Sequence, residues 1–181
     1  MKNIFLYNTE VGILGVAEEN HYITNVFFQS QMHEIKHLAV TVESIKKIVN
    51  AKDMVIDGEN YSIQETIILR EASGQLKQYF AGKLKSFDLP LAPEGTVFMK
   101  SIWECLMRIP YGETRSYKEI AQASGNIKAS RAVGMANNRN PLPFFIPCHR
   151  VIGSNGKLIG YRGGLDIKNK LLELEKKHAD I

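Results

Sequence analysis

The run Ser86-Phe87-Asp88-Leu89-Pro90-Leu91-Ala92-Pro93-Glu94-Gly95 constrains the fold of this 181-residue chain more than any other stretch. Proline has no amide proton and holds φ at about −65°, so Pro90 and Pro93, with Gly95 behind them, stop any helix or central strand. The chain therefore reads as two domains, residues 1–90 and 91–181, joined through this connection. Hydrophobic residues make up 44% of the chain and charged residues 23%, enough for each part to build a core.

The two parts differ in pattern. In the first, Asn3 to Tyr7, Val11 to Glu18 and His21 to Phe28 are rich in Ile, Val, Phe and Tyr and are separated by short polar turns such as Glu19-Asn20. They predict a three-stranded antiparallel meander. Helices are expected from about Met32 or Val42 to Ile48 and, more clearly, from Ser62 to Phe80, where Ile63, Ile67, Leu76 and Phe80 recur at helical spacing. The expected class for the N-terminal domain is thus α/β (α+β).

The second part reads as mainly helical. Thr96 is placed to cap a helix through Arg108, with Val97, Phe98, Ile102, Trp103, Leu106 and Ile109 on or near one face. Cys105 falls among them and is expected to pack as a small apolar residue. Tyr117 to Ser124, the break Gly125-Asn126 and Ile127 to Asn138 give the outline of a helix-turn-helix. Asn140 to Gly164 is a glycine- and proline-rich, loop-built region, and Leu165 to about Lys177 is a closing helix.

Charge is asymmetric as well. Residues 1–90 carry 9 Lys and Arg against 11 Asp and Glu, whereas residues 91–181 carry 14 against 8. Within Val97 to Lys170 the balance is 12 against 4, the distribution of a surface that meets a polyanion. Arg131 and Arg139 give the second motif helix a positive edge. No window approaches the ~18 consecutive apolar residues of a membrane span, and the N-terminal stretch lacks the pattern of a signal peptide. With two cysteines and no sign of secretion, an intracellular, cytoplasmic protein with a free thiol is expected.

The chemistry concentrates at Pro147-Cys148-His149-Arg150. A thiol beside an imidazole and a guanidinium sits in surroundings that favour thiolate, the nucleophilic form. If the segment is extended, Cys148 and His149 point apart and a water passes the proton between them. A carboxylate should orient His149, and Glu173 and Glu175 on the closing helix are both candidates. Cysteines 43 positions apart and five scattered histidines offer no zinc-like ligand pair, so no metal is expected. The glycines from Gly153 to Gly164 match neither a dinucleotide fingerprint nor a phosphate loop, which argues against a nucleotide cofactor.

Taken together, Arg131-Ala132-Val133-Gly134, Asn140-Pro141 and Ile146-Pro147-Cys148-His149-Arg150-Val151-Ile152 resemble the signature of the O6-alkylguanine-DNA alkyltransferases, or methylated-DNA-protein-cysteine methyltransferases. The resemblance extends back through Phe87-Asp88-Leu89-Pro90, Gly95-Thr96, Ile109-Pro110-Tyr111-Gly112 and Ser116-Tyr117, and forward through Gly160-Tyr161. It implies direct-reversal DNA repair: one alkyl group moves from O6 of guanine, or O4 of methylthymine, in double-stranded DNA to Cys148, and the protein is consumed. It also implies a monomer without cofactor.

The resemblance assigns roles residue by residue. His149 is the base, Glu175 its orienting carboxylate, and Tyr117 a phenol that disfavours the stacked base and donates a proton toward guanine N3. Arg131 fills the gap left by the extruded nucleotide. Ser116, Ala132 and Gly134 belong to the DNA-binding surface, where small residues let the helix lie close in the minor groove. Asn140 ties that helix to the active-site loop, the carbonyls of Cys148 and Val151 read the exocyclic amine of guanine, and Tyr161 and Arg162 form the lid. Relatives that bind zinc do so through cysteine and histidine in the N-terminal domain, whereas residues 1–104 here contain no cysteine. The phosphotriester-repair module of fused relatives is not expected either. Three other readings compete: an alkyltransferase-like lesion binder, which would lack Cys148; a cysteine hydrolase, which would turn over; and a helix-turn-helix transcription factor, which would prefer one DNA sequence.

Overall fold

The computed structural model describes residues 1–33 and 51–179. These form two compact units, Met1–Ala92 and Pro93–Ile181.

The first unit is built on a mixed five-stranded sheet, not the three-stranded meander that the sequence suggests. Its strands are β1 (Lys2–Thr9), β2 (Gly12–Glu19), β3 (Tyr22–Phe28), β4 (Asp53–Ile56) and β5 (Glu59–Ile63), in the order β3-β2-β1-β5-β4. The meander is present, with Leu6 opposite Gly15 and Val16 opposite Val26. The additional pair, β4 and β5, is a hairpin closed by Asp57 and Gly58, whose φ values of 52° and 82° are those that a two-residue hairpin turn demands. β5 then pairs in parallel with β1, Asn3 opposite Ser62. Helix α1 (Ile67–Phe80) consequently begins five residues later than its periodicity suggests, at the Thr66 cap, because Ser62 and Ile63 belong to the sheet. The helix expected between Met32 or Val42 and Ile48 lies outside the described residues beyond His33. Ile4, Leu6, Ile13, Ala17, Phe27, Met32, Met54, Ile56 and Tyr61 form an apolar core, while α1 packs against β1, β2 and β3.

The second unit is mainly helical. Thr96 accepts a hydrogen bond from Met99 N and caps α2 (Val97–Met107). Ile102, Trp103, Leu106 and Ile109 are buried, whereas Val97 and Phe98, assigned to the same face, are exposed. α3 (Tyr117–Ala123) opens with a capping box in which Ser116 Oγ accepts from Glu119 N and the Glu119 carboxylate accepts from Ser116 N. A 3-10 turn (Ile127–Ala129) leads into α4 (Ser130–Asn138), and α5 (Leu165–His178) closes the unit. Two short strands, β6 (Arg115–Ser116) and β7 (Val151–Ile152), pair in parallel, Arg115 opposite Val151 and Ser116 opposite Ile152. This pairing fastens the start of α3 to the segment that follows Cys148. Among the described residues, no helix is long and apolar enough to cross a membrane.

Candidate active site and nucleic-acid interface

Residues Asn140 to Arg150 are all buried and mostly irregular, so their backbone needs partners that regular structure does not supply. Asn140 provides two of them: its Nδ2 donates to Ile146 O at 2.9 Å and its Oδ1 accepts from Leu142 N at 3.0 Å. This bracket helps to hold Phe144 at φ 73°, a left-handed conformation that a bulky side chain adopts only under constraint. Cys148, His149 and Arg150 form a 3-10 turn, so the extended geometry considered from sequence does not apply.

The three side chains of that turn have separate surroundings. Arg150 does not face the thiol. Its Nε and Nη2 grip Glu175 at 2.8 and 3.0 Å, its Nη1 donates to Ile109 O at 2.6 Å, and its guanidinium lies 5.7 Å from the Tyr111 ring centre. His149 is fully buried, with Nε2 2.7 Å from Glu175 Oε1. Gly112 N also donates to Glu175, at 3.1 Å. That contact depends on glycine, since φ is 79° and a Cβ there would lie 2.6 Å from Ala179 Cβ.

Glu175 is thus the carboxylate brought to His149, while Glu173 is exposed and accepts from Asn169 on the outer face of α5. Burial alone would raise the Glu175 pKa, but the hydrogen bonds and charges of His149 and Arg150 outweigh it and hold it at about 2. Burial pushes the His149 pKa down despite its bond to Glu175. A neutral imidazole that gives its Nε2 proton to the carboxylate leaves Nδ1 as the basic nitrogen.

Cys148 is 4% exposed. Burial pushes its thiol pKa up, opposed by a hydrogen bond from Asn140 and by the positive charges of Lys168 and Arg162. The cationic support therefore comes from residues distant in sequence and not from Arg150, which corrects the reading of the tetrapeptide. The Cys148 carbonyl accepts from Asn137 Nδ2 at 3.3 Å.

Tyr117 begins α3 and donates its hydroxyl to Ile159 O at 3.0 Å. Burial, then negative charge at Cys148, raises its pKa and keeps it a phenol. With Arg131, Gly134, Met135, Asn138, Ile159 and Gly160 it lines a groove of about 480 Å³ along α4. Arg131 and Ala132 are exposed on that helix. Gly134 stands opposite Tyr117, and a Cβ there would rest 3.9 Å from the ring, an ordinary contact, so the smallness serves the open groove and not the packing beneath it. Ser116 is half-buried in its capping box. Tyr161 is buried, its hydroxyl held neutral by burial and by the charges of Cys148 and Glu175. Arg162 donates to Asn138 O at 3.2 Å, tying the glycine-rich wall to the end of α4.

Sequence reasoning missed two residues. Asn137, on α4, is 4% exposed and reaches the Cys148 carbonyl. Lys168, on α5, is fully buried and donates to Val151 O at 2.6 Å and Ile159 O at 2.8 Å. The signal was available, because Lys168 precedes Leu171 by three and Glu175 by seven, one face of a helix.

Both units are similar to known proteins. Residues 97–177 match the family model described as 6-O-methylguanine DNA methyltransferase, DNA binding domain, and residues 5–93 match the ribonuclease-like domain of the same family. A methylated-DNA–protein-cysteine methyltransferase of Methanosarcina acetivorans is 60% identical over 130 residues, covering 72% of this chain and 79% of the relative. A constitutive methyltransferase of the same description from Bacillus subtilis is 46% identical, covering 93% and 92%. Among solved structures, Mycobacterium tuberculosis O6-methylguanine methyltransferase superposes with a TM-score of 0.78 at 38% identity, covering 98% of this chain and 94% of the other. Mycobacterium tuberculosis OGT in complex with DNA gives 0.78 at 37%, covering 97% and 94%.

Proposed function

Because this chain belongs to the 6-O-methylguanine DNA methyltransferase family, we propose that it repairs double-stranded DNA by moving an alkyl group irreversibly from O6 of guanine to Sγ of Cys148. The family activity is that of a DNA-repair methyltransferase acting through a protein cysteine. The observation that carries the finer reading is the buried pair formed by His149, in the same turn as Cys148, and Glu175 on α5.

Neutral His149 takes the thiol proton through a water, and Glu175 fixes the tautomer and stabilises the imidazolium that forms. The thiolate attacks the alkyl carbon in line. The S–C bond forms as the C–O6 bond breaks, the bonding pair leaves with O6, and the guanine gains at N3 a proton from Tyr117. The thiol proton held by the His149 imidazolium returns through water to the Tyr117 phenolate, so one proton leaves the thiol, one reaches the base, and the balance needs no cofactor. O4-methylthymine presents the same alkyl–oxygen bond and is a second substrate.

O6 lies inside the paired stack, so the nucleotide must be extruded, which costs about a few kcal/mol of unstacking. Arg131, exposed on α4 at the rim of the groove, fills the gap, and small Ala132 and Gly134 let α4 approach the minor groove. Ser116 and Tyr117 hold the DNA backbone beside the extruded base. The Val151 carbonyl retains a second lone pair for the guanine amine beyond Lys168, whereas the Cys148 carbonyl already accepts from Asn137 Nδ2 and Val151 N and reads the amine by giving up the longer Asn137 bond. Tyr161 and Arg162 cover the pocket, and Asn140 keeps the loop and α4 in register. The product thioether has no easy leaving path, so a monomer acting on chromosomal DNA in the cytoplasm is spent after one transfer.

Mixing the protein with excess duplex containing O6-methylguanine tests this reading. The expected course is a burst of about one equivalent followed by no further repair, absent in Cys148→Ala, which still binds the lesion. Continued turnover would instead support a hydrolase.

A further inference from the structure

Lys168 is fully buried, a state that lysine rarely adopts unless paired. Its hydrogen bonds go to two carbonyls and not to a carboxylate: Val151 O at 2.6 Å and Ile159 O at 2.8 Å. Its Nζ also lies 6.0 Å from the Tyr117 ring centre. Val151 and Ile159 bracket the glycine-containing turn that forms one wall of the site, so a single ammonium joins both ends of that wall to α5. The Ile159 carbonyl is shared, since it also accepts the Tyr117 hydroxyl.

We propose that Lys168 is a positioning residue for the alkyl transfer: it pins the pocket wall through Val151 and Ile159, keeps the Ile159 carbonyl satisfied when Tyr117 turns to the guanine, and supplies the positive charge facing the Cys148 thiolate. The proposal rests on the reading of Cys148 and Tyr117 given above.

Tyr117 has to release Ile159 O before its hydroxyl can serve the base. A carbonyl without a partner resists that release, and a carbonyl already holding a second donor does not. Lys168 is that second donor. Its ammonium is also a buried cation whose hydrogen bonds go to neutral groups. Burial lowers its pKa to about 8, and Cys148 acts in the opposite direction, each of the two favouring the charged form of the other. Arg162 adds to the charge felt by the thiol. The same ammonium disfavours protonation of His149, whose partner Glu175 favours it. One charge therefore promotes thiolate and keeps the imidazole in its basic form.

The test uses the full chain with Lys168→Met, Lys168→Gln and Lys168→Arg. Circular dichroism establishes which variants fold, and Gln stands in for Met where Met does not. Two quantities are read: the pH profile of Cys148 carbamidomethylation by iodoacetamide, followed on its own peptide, and the single-turnover rate of transfer from an O6-methylguanine duplex. The neutral variants should shift the profile upward by about one unit, which is tenfold less thiolate at neutral pH, and slow transfer at least as much. Lys168→Arg should keep the profile, because the charge remains, yet lose transfer rate, because a planar fork does not reproduce the two carbonyl bonds. Neutral variants with slowed transfer and an unmoved profile would reduce Lys168 to a structural part and overturn the proposal. A wild-type chain that transfers nothing refutes the reading of Cys148, whereas wild-type transfer with wild-type behaviour in the neutral variants refutes this inference alone.

Discussion

The two units bury different things. In Met1–Ala92 the described interior is apolar, and its buried polar or charged side chains are Glu18 and Ser73. In Pro93–Ile181 the corresponding set is Asn137, Asn140, His149, Arg150, Lys168 and Glu175, gathered around Cys148 and the wall behind it. Buried ion pairs are weak contributors to stability compared with apolar packing of the same volume. The second unit nonetheless assembles them on elements far apart in sequence, Ile109, Gly112, Cys148–Arg150 and α5, and they converge on a nucleophile. The contrast separates a sheet that holds a fold from a network that holds a reaction geometry.

Two buried glutamates give the sharpest way to break this comparison. Glu175 accepts from an imidazole, a guanidinium and Gly112 N, whereas Glu18 accepts, among the described residues, from the neutral donors Asn3 Nδ2 at 2.7 Å and His21 N at 3.0 Å. Glu175→Ala leaves Arg150 buried without its carboxylate and should cost about 3–5 kcal/mol in denaturant unfolding. Glu18→Ala should cost about 1–3 kcal/mol, the desolvation of donors left unpaired. Equal losses would show that the network in the second unit is not special.

Next in size is the pH dependence of unfolding, in which Glu175 and Lys168 both make stability rise with pH, in separate windows. The folded Glu175 pKa, about 2, lies below its ordinary 4.5, so its contribution is complete above 4.5 and is lost as pH falls toward 2. The folded Lys168 pKa, about 8, lies below its ordinary 10.5, so the unfolded chain binds the extra proton and stability gains from this group as pH rises from 8 to 10.5. In Lys168→Met, chemical unfolding across that alkaline window should lose this gain. A slope identical to wild type would contradict the assignment.

The smallest effect on folding is expected at Arg131. Exposed on α4, it should leave stability within about ±0.5 kcal/mol when replaced by Ala. The same change should weaken lesion repair and reduce the salt slope of DNA binding by about one. Tight preference for one undamaged operator sequence would favour the transcription-factor reading instead.

The sequence allowed much of this to be read, and the limits have physical reasons. Caps and turns announce themselves locally, so Thr96 and the Ser116 capping box mark helix starts. The Asp57-Gly58 hairpin carries an equally local signal that the sequence reading leaves unused, and the end of β5, Ser62 and Ile63, falls into the helical pattern because Ile63 also fits the 3.6-residue period. Cys148, His149 and Glu175 share one constellation, but sequence left Glu173 and Glu175 open until α5 showed which face is buried. The company of the thiol was misjudged because adjacency along the chain does not fix direction: Arg150 turns to Glu175, while Lys168 and Arg162 support Cys148 from α5 and the loop before it. Lys168 itself was hidden by its type, since a lysine on a helix is normally solvated.

The most direct measurement locates the alkyl group. Cys105 is partly exposed and Cys148 is buried, so adventitious alkylation would reach Cys105 first. After reaction with an O6-methylguanine duplex, peptide mass spectrometry should find one added methylene on the Cys148 peptide of every spent molecule, with the Cys105 peptide unchanged. Methylation at Cys105, or repair that proceeds with both peptides unmodified, would contradict the account.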